Sequence, residues 1–523
     1  MTLDVPTATQ NTPMEGTDHS KDSICSEKLD EHELRPRSFE DDIEKEQQDP
    51  ATTNFEVSFT GDTDPRSVKS LPPWRKWLIV YIVSGTSLLV ASTSSLYVAT
   101  YAQIEKEFDV SNIVATLGLT VFVAGLGLGP MLLAPLSEFY GRKPIYVVSL
   151  AFFVIWIIPC AVAQNIQTLL VARFIGGLSG AAFLSVAGST MGDLFARDQL
   201  QKPMLVYTIT PFLGPELGPI IGGFINYNVS WRWSFWVLLI WAGFQWAAIT
   251  FLVPETYHPV LLRNEARRLR KETGDERWYA PIEKMDRSIP HTIMRSCYRP
   301  FMLLLLEPMC LLLCTLTAFL LGVIYLFFGA FTLVFKENHG FNLWQIGLTF
   351  IGMIVGMLLA CFADPWWHKN HQRLIAKHVA ETGNIGGSEP EFRLPPAILG
   401  GPMVFVGLLW FGWTTYASVH WIVPIIGSSL ISAGVFMVYS GVFTFLVECY
   451  PLYAASALAA NSFLRSMFAA GFPLFGPGMY HNLGFQWATF VLAMIMLVLA
   501  PFPYIFFRYG KQIRAKSRYS GAK

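Results

Sequence analysis

The chain has 523 residues and no net charge, with 52% hydrophobic and only 15% charged residues. A soluble chain of this length carries roughly 25% charged residues, and a nucleic-acid binder shows a basic footprint, so neither class fits. Seven cysteines give no framework: Cys160, Cys310, Cys314 and Cys361 fall inside apolar runs and read as buried apolar side chains, with no metal-ligand cluster beside them.

In chain order, residues 1–73 come first. They are polar and acidic, with clusters such as Glu40-Asp41-Asp42, and lack the apolar stretch of a signal peptide or a core. They are expected to form a disordered acidic cytoplasmic tail. Trp74-Arg75-Lys76 then marks the first membrane entry. Apolar runs follow at about 77–102, 113–135, 145–163, 167–190, 203–226 and 233–253, each near the ~20 residues that cross a bilayer. A polar stretch, 254–300, is expected to be a cytoplasmic central loop. Further runs lie at about 301–335, 344–363, 396–416, 421–447, 453–478 and 486–507. The expected class is therefore an all-α membrane protein of twelve transmembrane helices in two six-helix bundles, 74–253 and 301–508, closed by a basic cytoplasmic tail, 509–523. Such a six-plus-six plan with a solute site at the midplane is common among secondary transporters.

Orientation follows from Lys and Arg placement. Arg142, Lys143, Arg197, Lys202, Arg263, Arg267, Arg268, Arg270, Lys271, Arg508, Lys511, Arg514, Lys516 and Arg518 all fall on one side. The other side holds little beyond Lys106, Arg232 and Lys336. Both termini are placed in the cytoplasm.

The turn after span 2 reads Ala134-Pro135-Leu136-Ser137-Glu138-Phe139-Tyr140-Gly141-Arg142-Lys143. Gly141 permits a tight turn, and Glu138, four residues before Arg142, is placed to pair with it. The turn resembles the loop signature of the major facilitator superfamily, with Ala134 in place of the leading Gly and Glu138 in place of the usual Asp. Its second-half counterpart, Ala363-Asp364-Pro365-Trp366-Trp367-His368-Lys369, keeps the acid and loses the Gly-Arg. Asp193, at the inner end of span 4, either completes a charge relay with Glu138 and Arg142 or caps its helix.

Span 5 carries Gly214-Pro215-Glu216-Leu217-Gly218-Pro219-Ile220-Ile221-Gly222-Gly223. Gly214, Gly218 and Gly222 share one face and allow close helix contact, and Pro219 bends the span. The pattern, through Gly223, is similar to the antiporter signature of drug:proton exchangers. Charges inside a span are costly and often functional. Arg173 in span 4 resembles the family's span-4 Arg, implicated in proton coupling, although a snorkelling Arg is the plainer alternative. Glu216 is the best candidate for a protonatable group or a cation contact. Glu307, before Pro308, either begins a helix or takes part in transport, and Arg465 near Asn461 requires a structural or functional partner.

Val253-Pro254-Glu255-Thr256-Tyr257 and Tyr450-Pro451-Leu452-Tyr453 extend the resemblance to the fungal twelve-span drug:proton antiporters, over about 70 to 510. It implies the major facilitator fold and export of drugs, toxic xenobiotics or secondary metabolites by alternating access. The energy source would be the proton gradient, with no cofactor. It also implies plasma-membrane placement, with the vacuolar membrane as an alternative, and a monomer working on an amphipathic or cationic small molecule. Spans 1, 4, 7 and 10 would line the cavity, with aromatics such as Tyr97, Phe319, Tyr325, Phe328 and Tyr439 nearby. A polyamine or nutrient transporter of the same superfamily, and a transporter-like receptor without flux, are the alternatives. No GxxxxGK[ST] loop or Ser/His/Asp arrangement suggests an enzyme or an ATP-driven pump.

Overall fold

A computed structural model describes residues 55–59, 64, 66–196, 199–284, 289–382, 389–515, 517 and 519. The acidic stretch up to residue 54, and Arg197, Lys516 and Arg518, lie outside the described residues. The chain is helical because a bilayer offers no water to free backbone groups, so each span must satisfy its own N–H and C=O groups. Prolines that would break a soluble helix sit inside long helices here, as Pro211, Pro215 and Pro219 do in Gln201–Asn228.

Among the described residues, eleven helices are long and apolar enough to cross a membrane. They supply spans 1 to 6 as Pro73–Phe108, Asn112–Tyr140, Arg142–Ala161, Ile166–Leu194, Lys202–Asn228 and Arg232–Leu252. Spans 7 to 10 are Pro308–His339, Leu343–Glu381, Pro395–Trp413 and Ile422–Cys449, and span 12 is Phe485–Arg514. Span 11 is the 30-residue helix Ala454–Leu483, whose apolar character is diluted by Asn461, Arg465 and His481.

Packing repeats between the halves. In the first half span 1 lies on span 5, span 2 on span 4 and span 3 on span 6; in the second, span 7 lies on span 11, span 8 on span 10 and span 9 on span 12. The halves meet where span 2 packs on span 11 and span 5 on the start of span 8. Those two contacts exchange under the same half-for-half relation, as expected of internal repeats.

Three expected boundaries move. Residues 55–59 are not a free tail: Val57 N–H donates to Tyr279 C=O at 3.0 Å and Tyr279 N–H to Phe55 C=O at 3.1 Å. Val57 is buried with Leu262, Ala266 and Ala280. The apolar side chains of this short stretch find partners on the central segment, which the acidic composition of the tail as a whole conceals. The expected loop 254–300 contains the helix His258–Thr273, and a second helix, Ile289–Leu306, runs past its end. Span 7 accordingly begins at Pro308 rather than 301. Glu307 has φ −112° and ψ 99°, the extended geometry that a following proline enforces, so the chain must break there. The expected C-terminal tail is helical as far as Arg514, where Lys511 and Arg514 hold Glu389 and Glu391.

Candidate functional site

Two ion-pair clusters mark the face on which span 2 turns into span 3 and span 10 into span 11. Span 2 stops at Gly141, whose φ of +101° is a backbone state that side-chain-bearing residues rarely adopt. A Cβ there would also strike the Glu255 carboxylate. Span 3 starts at once, and Glu255 caps it: Arg142 N–H donates to Oε1 at 2.8 Å and Lys143 N–H to Oε2 at 3.2 Å. A carboxylate at a helix N-terminus meets free N–H donors and the positive end of the dipole. Beneath it the Arg142 guanidinium is buried. It donates to Ser137 Oγ at 2.6 Å, lies 3.3 Å from Asp193 Oδ2 and sits 4.6 Å from the Tyr257 ring centroid.

The acid facing Arg142 is thus Asp193, not Glu138. Glu138 is exposed, and no hydrogen bond or ion pair reaches it among the described residues. A four-residue pairing presumes one continuous helix, and Gly141 ends the helix between the two. In the sequence Glu255 stands out only as part of the Val253-Pro254-Glu255-Thr256-Tyr257 segment. It lies 113 residues from Arg142, so no local spacing marks it as the cap of span 3.

The second half holds a matching pair. Arg393, just before span 9, lies 2.7 Å from Glu448 at the end of span 10, as Arg142 at the start of span 3 meets Asp193 at the end of span 4. The sequence separations are 55 and 51 residues. The turn after Asp364 itself lacks the Gly-Arg; the comparable arginine comes later, beyond the helix Asp364–Thr382. Beside it Arg514 grips Glu391 with two bonds of 2.7 and 2.9 Å. Glu307 accepts from Tyr450 Oη at 3.2 Å and from Ser517 Oγ at 2.7 Å, which ties span 7 to the turn before span 11 and to the chain end.

The span-5 glycines bring two helices close. A Cβ at Gly214 would lie 2.5 Å from Ala91 Cβ, and one at Gly222 would lie 2.7 Å from Leu96 C=O; Gly218 presses on Ser95 and Ser92 of the same span 1. Gly223 and Pro219 face the other half instead, against Leu343 and Gly347 of span 8. One motif therefore welds spans 1 and 5 and also forms a contact between halves near the face opposite the ion-pair clusters.

Arg173 is fully buried and does not snorkel. It donates to the carbonyls of Gly118 (3.1 Å), Thr93 (2.9 Å) and Ser94 (3.4 Å), and its guanidinium lies over the rings of Tyr97 and Phe122 at 4.3 and 4.4 Å. Span 1 supplies the Thr93 and Ser94 carbonyls because its regular helix ends at Leu96 and a tighter turn follows over Tyr97–Thr100, while the Gly118 carbonyl comes from span 2. Carbonyls in the last turn lack partners within the helix.

Glu216 is also buried. Its Oε1 accepts from Ser432 Oγ of span 10 at 2.7 Å, and its Oε2 has no hydrogen-bond partner. Two further contacts close the centre between the halves: Ser94 Oγ to Tyr325 Oη at 2.8 Å, and the rings of Phe212 and Tyr439 at 4.6 Å. A cavity of about 420 Å³ lies beyond them toward the opposite face, lined by Tyr101, Thr116, Phe328, Lys336 and Phe350 among others. A smaller one of about 40 Å³ sits at the centre. Spans 2, 5 and 11 line both, and span 10 lines neither, so the expected lining of spans 1, 4, 7 and 10 is only partly met.

The sequence profile described as Major Facilitator Superfamily matches residues 82–472. The chain is 65% identical over 471 residues to the protein called efflux pump atB of Aspergillus terreus, which covers 90% of this chain and 91% of that one. It is 39% identical over 515 residues to the probable drug/proton antiporter YHK8 of Saccharomyces cerevisiae, covering 98% of each. Among solved structures it superposes on the xylose transporter XylE of E. coli with a TM-score of 0.58 at 16% identity, over 82% of this chain and 99% of that one.

Proposed function

From the premise that the chain belongs to the Major Facilitator Superfamily, among its fungal drug-efflux members, and is a membrane transporter rather than an enzyme, we propose that it exports small organic molecules by alternating access in exchange for protons. The observation that carries the coupling is Glu216, a buried carboxyl that joins span 5 to span 10 and keeps one oxygen unpartnered. A carboxylate without a counter-ion is expensive in a dry interior, so the gain or loss of a proton at this carboxyl matters to the contact. Giving up that proton changes what the carboxyl prefers as a partner, and its partner belongs to the opposite half.

The rest of the machinery follows from that link. The contact of Gly223 and Pro219 with span 8 closes the path near one face. The pairs Arg142–Asp193 and Arg393–Glu448 hold the ends of spans 3, 4, 9 and 10 near the other face, and their rupture would release those ends. A proton or substrate shifts the balance between states only by binding one of them more tightly. The basic residues on the face that carries Arg142 and Arg393 support a cytoplasmic assignment of that face, and the plasma membrane is the proposed location. Efflux of a labelled drug panel from cells expressing the chain, with and without a proton-gradient uncoupler, tests the reading. Export that the uncoupler abolishes supports it, and net accumulation overturns it.

A further inference from the structure

Arg465 lies well inside span 11 and is the one charged side chain lining the central cavity among the described residues. No acid and no hydrogen-bond acceptor reaches it among those residues; its guanidinium carbon lies 5.5 Å from the centroid of the Phe443 ring. Every comparable arginine is satisfied: Arg142 by Asp193, Arg393 by Glu448, Arg514 by Glu391, and Arg173 by three carbonyls. Glu216 is not its hidden partner. No ion pair or hydrogen bond joins the two among the described residues, and the one partner of Glu216 is Ser432.

Arg465 is half-buried, and a guanidinium that loses water within a span carries a desolvation cost that a bound anion would relieve. Around it are Phe212, Tyr325 and Phe443, rings suited to a flat apolar body, and the hydroxyls of Ser462 and Ser466. The cavity of about 40 Å³ holds little more than one water in this closed arrangement. A ligand therefore enters only as the halves part.

We propose that the central site selects small organic anions, aromatic carboxylic acids in particular, with the Arg465 guanidinium as the counter-charge for the substrate carboxylate. This rests on the exporter reading above and names the substrate class of that same path. It also departs from the expected amphipathic or cationic substrate, because a cation placed in this cavity would meet Arg465 with no acid lining the wall. The guanidinium is planar and matches a carboxylate in a two-bond grip.

The test is binding to the purified full-length chain in detergent, which needs no gradient and no direction of transport. The probes are radiolabelled benzoate, its neutral analogue benzamide, and tetraphenylphosphonium. Wild type should bind benzoate at least tenfold more tightly than benzamide. Arg465→Gln should remove that preference and leave tetraphenylphosphonium no weaker, while Arg465→Lys should keep part of it. Melting temperature and size-exclusion profile report whether the variants fold, and the wild-type comparison stands if they do not. Equal binding of benzoate and benzamide by wild type, or unchanged benzoate binding by folded Arg465→Gln, overturns the inference. Proton-driven export of cations with no benzoate binding would overturn it and leave the exporter reading intact. Benzoate bound through Arg465 without proton-driven export would do the reverse.

Discussion

Glu216 in span 5 accepts a 2.7 Å hydrogen bond from Ser432 in span 10, so a single buried carboxyl spans the boundary between the two halves of the transporter. Glu216→Gln keeps shape and neutrality and can still accept from Ser432 Oγ. It is therefore expected to leave the melting temperature within a few degrees of wild type and to reduce proton-driven efflux at least tenfold. Efflux assays in proteoliposomes with an imposed pH gradient check this. Glu216→Gln with full gradient-dependent efflux would remove Glu216 from the coupling step.

The Arg142 site separates three acids by role. Asp193→Asn leaves the buried guanidinium without its charge partner, a loss of about 1–2 kcal/mol that corresponds to roughly a 5- to 30-fold change in the balance between states. Glu255→Ala removes the cap of span 3 and should cost about 1 kcal/mol in stability. Glu138→Gln, at an exposed position, should change neither efflux nor melting temperature. The ranking is read from efflux rates and thermal unfolding of the three variants.

Arg393–Glu448 should behave as a second copy of that device. Single substitutions Arg393→Gln and Glu448→Gln, and the double variant, form a cycle in which the double costs less than the sum of the singles. A coupling of about 0.5–3 kcal/mol is expected for residues in direct contact. Additive losses would show that the pair carries no shared function.

The amount of the fold that was legible follows the physics of each signal. Length and apolarity locate eleven spans, because hydrocarbon thickness imposes both. Span 11 falls below them in apolarity because it carries Arg465 and Asn461, and it is legible only as the weaker run at 453–478. The glycines at 214, 218 and 222 announced a close helix contact, but not that span 1 was the neighbour or that Gly223 reaches span 8. Asp193 was legible as a candidate partner of Arg142, but not that it, rather than Glu138, makes the pair, nor that Glu255 caps span 3, since only folding brings these distant positions together. The same holds for Arg393, hidden by the inserted helix Asp364–Thr382.

The contact of spans 5 and 8 makes a separable prediction. In a cysteine-free background, Gly223→Cys with Leu343→Cys places two thiols at a point where a Cβ on residue 223 would lie 2.8 Å from Leu343 C=O. Oxidation should stop efflux and reductant should restore it, because alternating access requires that contact to open. Full efflux after complete cross-linking would mean that the halves do not part there. Gly243→Ala, where an added Cβ meets nothing within 4 Å, serves as the neutral control.

The most direct test of the central claim is efflux from vesicles holding the purified chain, measured with a proton gradient imposed in either direction and then dissipated by an uncoupler. The account predicts substrate movement opposite to the proton, reversing with the gradient, vanishing with the uncoupler, and lost in Glu216→Gln. Transport that runs at the same rate with no gradient, or that moves substrate and proton in the same direction, would contradict it.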